Sequence, residues 1–210
     1  MTVAVIDYGM GNLRSMAKAL EHVGARGVRV TDDADVIGAA ERVVFPGQGA
    51  ARDCMSAIQA HELEDVLRRV LKEKPFFGAC LGMQVLLARS EENEGVDTLG
   101  IYPGAVRHFR RLLGERPGFK IPHMGWNRVR QAREHPLWQG IDDDSWFYFV
   151  HSYYADPGSD DVVLGTTDYG GEFASVVGRD NVFATQFHPE KSQHAGLRLL
   201  ENFVHWDGSV

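Results

Sequence analysis

The stretch "PFFGACLGMQVLLA", residues 75–88, decides the fold. Pro75-Phe76-Phe77-Gly78-Ala79 is a short apolar run of the kind a buried strand makes. Leu81, Met83, Val85, Leu86 and Leu87 then mark the buried side of a helix. Cys80 stands at the join, with Gly78 and Gly82 two residues to either side. In open α/β sheets ligands bind at the carboxyl ends of the strands, so a residue leaving this strand lies on the functional rim.

The same alternation runs through the first ninety residues. "TVAVI" (2–6), "GVRV" (27–30) and "RVVF" (42–45) read as strands. Residues 13–23, 53–73 and a run beginning near Leu81 carry apolar positions at helical spacing. Strand–helix alternation predicts an open, mostly parallel central sheet covered by helices on both faces. Strands dominate the second half: 99–109, 123–130, 145–155, 162–167, 173–177 and 181–188, before a closing helix over 194–206. They predict an antiparallel extension of that sheet. With no repeat and no Pro/Gly/Ser-rich linker, residues 1–210 read as a single domain.

A net charge of −7, with no basic cluster longer than "RHFRR" (107–111), gives no reason to expect a nucleic-acid surface. Cys54 and Cys80 are the two cysteines, too few for a disulfide framework, and they point to a reducing, cytoplasmic setting. "MTVAVIDYG" has neither the basic nor the long apolar region of a signal peptide, and no segment approaches the ~20 apolar residues of a membrane span.

Gly78-Ala79-Cys80-Leu81-Gly82 has the spacing of a nucleophile elbow with sulfur in place of oxygen. The glycines remove side chains where a tight turn and a close helix need room, and a helix N-terminus favours negative charge on the sulfur. The other reading of Cys80 is a small buried hydrophobe, which is the reading we keep for Cys54 in "RDCMSA". A nucleophilic thiol needs a base and a group to orient that base. Of nine histidines, His22, His61 and His205 lie in helical stretches, His108 in a charged segment and His135 in a turn before Pro136. His123, His151, His188 and His194 remain. His188 ends the last strand-like run, which puts it on the same rim if that strand is parallel to the one before Cys80. Glu190 lies two residues on and could hold its tautomer, although His-x-Glu alone also fits an ordinary loop. A metal site on His188, Glu190 and His194 lacks a convincing ligand geometry.

An oxyanion hole requires free amides. Pro46-Gly47-Gln48-Gly49 follows a strand and can turn its amides outward, Gly47 allowing unusual peptide orientations, and the Leu81 N–H is a natural second donor. "GMGN" (9–12) starts like a dinucleotide fingerprint but has Arg14 where glycine is needed, so no cofactor is expected.

Taken together, Cys80 in "GACLGMQ" and His188-Pro189-Glu190 after "TQF" resemble the class I glutamine amidotransferases, with a flavodoxin-like parallel sheet, and "PGQG" resembles their oxyanion strand. "DYGMGNLRS", "EGVDTLGI" (94–101), "PHMGWN" (122–127), "WFYFVHSYY" (146–154) and "FHPEKS" narrow the resemblance to glutaminase subunits of imidazole glycerol phosphate synthases. That family more often carries Val where Gln48 stands and Ile or Val where Ala79 stands.

The resemblance implies glutamine hydrolysis through Cys80, His188 and Glu190, with an oxyanion hole from Gly47, Gln48 and Leu81. It implies substrate contacts from Gln84 and from backbone groups of Ser152 and Tyr153. It further implies a (β/α)8-barrel synthase partner that receives the ammonia in histidine biosynthesis. Asn12, His123, Met124, Trp126, Tyr148 and Lys191 are the residues expected at that interface, while Phe147 and Phe149 read as core. Three alternatives stand beside this reading: the glutaminase of another pathway, a non-catalytic scaffold, and a cysteine hydrolase sharing only the elbow. "PHMGWN" weighs against the first, and the intact triad residues weigh against the second. "FHPE" together with "PHMGWN" weighs against the third.

Overall fold

The computed structural model describes residues 1–210. Four strands of the first half, β1 (Val3–Ile6), β2 (Val28–Thr31), β3 (Arg42–Gly47) and β4 (Phe76–Cys80), form a parallel sheet in the order β2-β1-β3-β4. The helices between them, α1 (Leu13–His22), α2 (Ala34–Ala39), α3 (Ala51–Ala60) and α4 (Glu64–Glu73), bury apolar stripes such as Val66, Leu67, Val70 and Leu71. Asp33 caps α2, its carboxylate accepting from the amides of Asp35 and Val36.

Beyond α5 (Leu81–Gln84) come the short β5 (Arg89–Ser90) and β6 (Val96–Asp97), then β7 (Gly104–His108) and α6 (Arg110–Leu113). The second half adds β8 (His123–Gln131), β9 (Ser145–His151), β10 (Tyr153–Pro157), β11 (Val163–Asp168), β12 (Glu172–Arg179) and β13 (Val182–Thr185) before α7 (Gln193–His205). β13 returns to pair parallel with β4, and β12 pairs antiparallel with β13. The mostly parallel centre with an antiparallel extension is therefore the expected one. Apolar cores fill both faces of the sheet, one around Phe45 and Phe76, the other around Phe77, Phe183 and Phe203. No helix is long and apolar enough to cross a membrane.

Four local expectations change. The helical run over 53–73 is two helices, because the chain breaks at Glu62, whose φ is +54°, and Leu63 drops into the core. The helix after Cys80 lasts one turn, since the carbonyls of Val85, Leu86 and Leu87 accept amides from Leu99, Tyr102 and Gly100 instead of continuing the helix. Residues 145–155 are two strands: β9 pairs with β8, β10 with β7 and β12, and the Ser152 carbonyl between them accepts from the Phe109 amide. The strand over 181–188 ends at Thr185, after which the His188 amide donates to the Tyr148 carbonyl and the chain crosses onto β9.

The β4–α5 junction leaves no room for side chains at its glycines. A Cβ on Gly82 would stand 1.9 Å from the Phe45 carbonyl oxygen, and one on Gly78 would stand 2.8 Å from the Gly82 oxygen. The Phe45 oxygen belongs to the strand backbone and cannot step aside. Gly82→Ala should therefore cost about 3 kcal/mol or more of stability, visible as a sharply lowered melting temperature or insoluble protein. A melting temperature within a few degrees of the parent would contradict this packing.

Candidate active site

The parallel strands β1, β3, β4 and β13 all end on one rim, which carries Gln48, Cys80 and His188. Cys80 adopts φ +53° and ψ −108°, a conformation rare for any residue but glycine. Such strain, of order 1–3 kcal/mol, persists only where the surroundings enforce it, and here β4 and the glycine-spaced α5 hold the sulfur at the cavity wall. The cavity is about 530 Å³ and is lined by Gln48, Gly49, Cys80, Leu81, Gln84, Glu92, Pro122, Tyr148, Val150, His151, Ser152, Tyr153, His188 and Lys191. A single amino acid fits such a volume.

His188 and Glu190 meet as the His-x-Glu spacing allows. Nδ1 lies 3.0 Å from Glu190 Oε1, and both side chains are only 3% exposed. A carboxylate oxygen can only accept, so Nδ1 carries a hydrogen and Nε2 is the ring nitrogen left for other chemistry. Nε2 is buried with no hydrogen-bond partner, as is Glu190 Oε2. Burial alone would lower the His188 pKa, but the Cys80 sulfur and then Glu190 outweigh it and push the value up to about 10. The charge that faces the Cys80 sulfur is thus the His188 imidazolium, not the field of a long helix, since α5 is a single turn. Cys54, by contrast, is sealed in the core and burial pushes its thiol up to about 12.

Three neighbours of Cys80, His188 and Gln48 went unread in the sequence. Gln186, fully buried, donates from Nε2 to Cys80 Sγ at 3.6 Å and accepts from Gln84 Nε2 at 3.0 Å. Ser192 donates to the His188 carbonyl and accepts from the Tyr148 amide, clamping the His188 segment to β9. Tyr8, also buried, accepts at its phenol oxygen from the Gln48 amide at 3.2 Å. Gln186 and Ser192 lie inside "TQF" and "FHPEKS", yet nothing in their spacing distinguishes them from structural residues.

Several expected roles are altered by the geometry. Gly47 has an ordinary φ, and its glycine is required by space, a Cβ there standing 2.5 Å from Leu81 Cβ. The Gln48 amide is committed to Tyr8 rather than turned to the cavity. Gln84 spends its amide hydrogens on Gln186 and on the Tyr153 carbonyl at 3.1 Å, leaving Oε1 as the atom it can offer a ligand. The Tyr153 carbonyl also meets His151 Nδ1 at 2.8 Å, so both its lone pairs are used and it cannot receive a substrate ammonium.

Of the expected surface residues, Met124 and Trp126 are exposed on β8, and Asn12, Tyr148 and Lys191 are half-buried. Lys191 Nζ sits 5.9 Å over the Tyr148 ring, and Arg128 lies 5.1 Å over the exposed Trp146. His123 is not on this surface. Strand alternation turns it inward, where it is 3% exposed and stacks on Tyr169 and Phe149. Phe147 and Phe149 are core, as read.

Residues 4–206 match the model of the family described as glutamine amidotransferase class-I. The chain belongs to that family. Curated relatives narrow it further. It is 58% identical over 208 residues to "Imidazole glycerol phosphate synthase subunit HisH 1" of Pseudomonas aeruginosa, covering 99% of this chain and 98% of the relative. It is 59% identical over 210 residues to the HisH subunit of Methylococcus capsulatus, covering 98% and 97%. Among solved structures, a glutamine amidotransferase superposes with a TM-score of 0.73 at 18% identity, covering 98% of this chain and 100% of that one. PurLQS from Thermotoga maritima superposes at 0.72 with 18% identity, covering 97% of each. This amidotransferase is thus one of the HisH group by sequence, and its fold extends to much more distant members.

Burial holds three histidines of the amidotransferase neutral: His123 and His135 are lowered to about 4 and His151 to about 3. Against an unfolded value near 6.5, the folded state binds fewer protons below that pH, so stability must fall as pH drops from about 6.5 towards 4. His188 acts in the opposite sense, but it is one group against three. The melting temperature should accordingly be lower at pH 5 than at pH 7. A level or rising profile would contradict the burial of these rings in neutral form.

Proposed function

We propose that this chain hydrolyses the side-chain amide of glutamine and supplies the ammonia to a (β/α)8-barrel synthase subunit in histidine biosynthesis. The observation that carries the proposal is the strained Cys80, in one cavity with a His188 whose Nδ1 is held by Glu190. The Cys80 thiolate attacks the amide carbon, and the charge passes to its oxygen. Collapse of that intermediate breaks the C–N bond, the leaving nitrogen takes a proton from His188 Nε2, and ammonia departs from a γ-glutamyl thioester. Water then gives a proton to the same Nε2 and attacks the thioester. Glutamate leaves and Cys80 is regenerated.

The Leu81 N–H and the Gln48 N–H are the proposed oxyanion donors. The second must first leave Tyr8. Tyr8→Phe removes the acceptor and should raise glutaminase turnover several-fold in the absence of any partner; an unchanged rate would mean that this bond does not restrain the donor. The exposed Met124 and Trp126, with Tyr148 and Lys191 at the cavity mouth, fit an aromatic-rich docking face for the barrel. Ammonia release is to be measured with and without the barrel synthase and its ribonucleotide ligand. Stimulation by both is expected, and its absence would favour the glutaminase of another pathway.

A further inference from the structure

The mechanism above makes no use of two buried imidazoles, His123 and His151, that touch one another beside the cavity. His123 Nδ1 lies 2.9 Å from His151 Nε2, and the outer nitrogens are also engaged. His151 Nδ1 meets the Tyr153 carbonyl at 2.8 Å, and His123 Nε2 meets Asn127 Nδ2 at 3.3 Å. Asn127 Nδ2 further donates to the Asp168 carbonyl, while its Oδ1 accepts from the Arg128 amide.

Donor and acceptor chemistry leaves one arrangement of hydrogens. A carbonyl only accepts, so His151 carries its hydrogen on Nδ1 and presents a lone pair at Nε2. His123 must then donate from Nδ1, and its own Nε2 accepts from Asn127. Every polar atom of the two rings is satisfied with both rings neutral, and an added proton on either would set donor against donor. Burial disfavours that proton as well, which keeps the chain intact at neutral pH.

The end of the chain is what gives it a task. The Tyr153 carbonyl that accepts from His151 also accepts from Gln84 Nε2, and Gln84 leads through Gln186 to Cys80. His151 is the last residue of β9, and Ser152 and Tyr153 follow it along the cavity wall where the chain passes from one pairing partner to another. A strand switch has fewer ladder bonds to fix it than a strand interior: the Phe109 amide holds the Ser152 carbonyl, and the His151 imidazole adds a bond to the Tyr153 carbonyl.

We propose that His151, braced by His123 and Asn127, is a positioning residue for glutamine: it fixes the Ser152–Tyr153 turn and, through the Tyr153 carbonyl, the orientation of Gln84. The inference rests on the glutaminase reading. Because the device acts on the wall of the cavity and not on His188, its loss weakens glutamine binding more than it slows the bound substrate. His123 sits on β8, whose opposite face carries Met124 and Trp126, so the brace also ties the wall to the proposed docking strand.

The test uses the intact complex with the barrel synthase. His151→Phe deletes the donor, whereas His151→Asn keeps an N–H near the Nδ1 position. The KM for glutamine should rise about tenfold in His151→Phe, the value of one buried hydrogen bond, with kcat falling no more than about threefold. His151→Asn should return KM to within about threefold of the parent. Protection of Cys80 from iodoacetamide by glutamine should weaken by the same factor as KM, while alkylation without glutamine proceeds at the parent rate. Equal KM values in His151→Phe and the parent, or no recovery in His151→Asn, would overturn the proposal. Should His151→Phe fail to melt cooperatively, the same comparison is made with His123→Leu against His123→Asn, and equal KM values in that pair would overturn it. A parent complex that releases no ammonia from glutamine refutes the glutaminase reading itself, a separate result from either of these.

Discussion

Cys80→Ala is expected to lower the glutaminase kcat of the complex by about 10⁴-fold or more, with the proposed partner subunit still bound. Removal of a covalent nucleophile leaves only the oxyanion donors and substrate binding, which cannot replace the lost bond-making step. The fold should survive. Alanine occupies less space than cysteine, and the φ of +53° strains alanine about as it strains cysteine. Cys80→Gly provides an internal control, because glycine adopts that conformation freely. It should be as inactive as Cys80→Ala yet melt higher by an amount corresponding to about 1 kcal/mol. Ammonia release at a substantial fraction of the parent rate in either variant would remove Cys80 from the mechanism.

Glu190→Gln is expected to lower kcat by about 10²–10³-fold, less than loss of the thiol. The carboxylate does two things for His188: it keeps the hydrogen on Nδ1, and it stabilises the imidazolium that faces the Cys80 sulfur. An amide at position 190 can still accept from Nδ1, but it can also rotate to donate, and it carries no charge. Both losses leave the base in place and poorly tuned. The rate of Cys80 alkylation at pH 7 should fall in the same variant, because the imidazolium beside the sulfur loses its carboxylate partner. A melting curve must accompany the kinetics, as Glu190 is buried at the start of the turn that leads into α7. Parent-like turnover and alkylation together would show that Glu190 does not tune His188.

Much of this site can be read in the chain because its parts are local. Gly78-Ala79-Cys80-Leu81-Gly82 is a five-residue solution to one steric problem, and His188 and Glu190 are two residues apart. The alternation of apolar strands and helices places the first on a rim, and a last strand parallel to β4 brings the second to it. What could not be read depends on partners far away in sequence. The helix after Cys80 stops because amides from residues 99–102 take its carbonyls, which no propensity in "LGMQVLLA" announces. Ser152 divides two strands because their partners differ, although "WFYFVHSYYA" alternates without a break. Gln186 reaches Cys80 across 106 positions, and Tyr8 reaches Gln48 across 40. His123 shows the limit from the other side. It lies in a motif that reads as surface, and only the register of β8 against β9 turns its ring inward onto His151.

The most direct test of the account is to acid-quench the complex during glutamine turnover and map the digested chain by mass spectrometry. A γ-glutamyl group should be found on the peptide containing Cys80, present in the parent, more abundant in Glu190→Gln relative to its turnover, and absent in Cys80→Ala. Steady ammonia release with no adduct on that peptide, or an adduct on Cys54 instead, would contradict it.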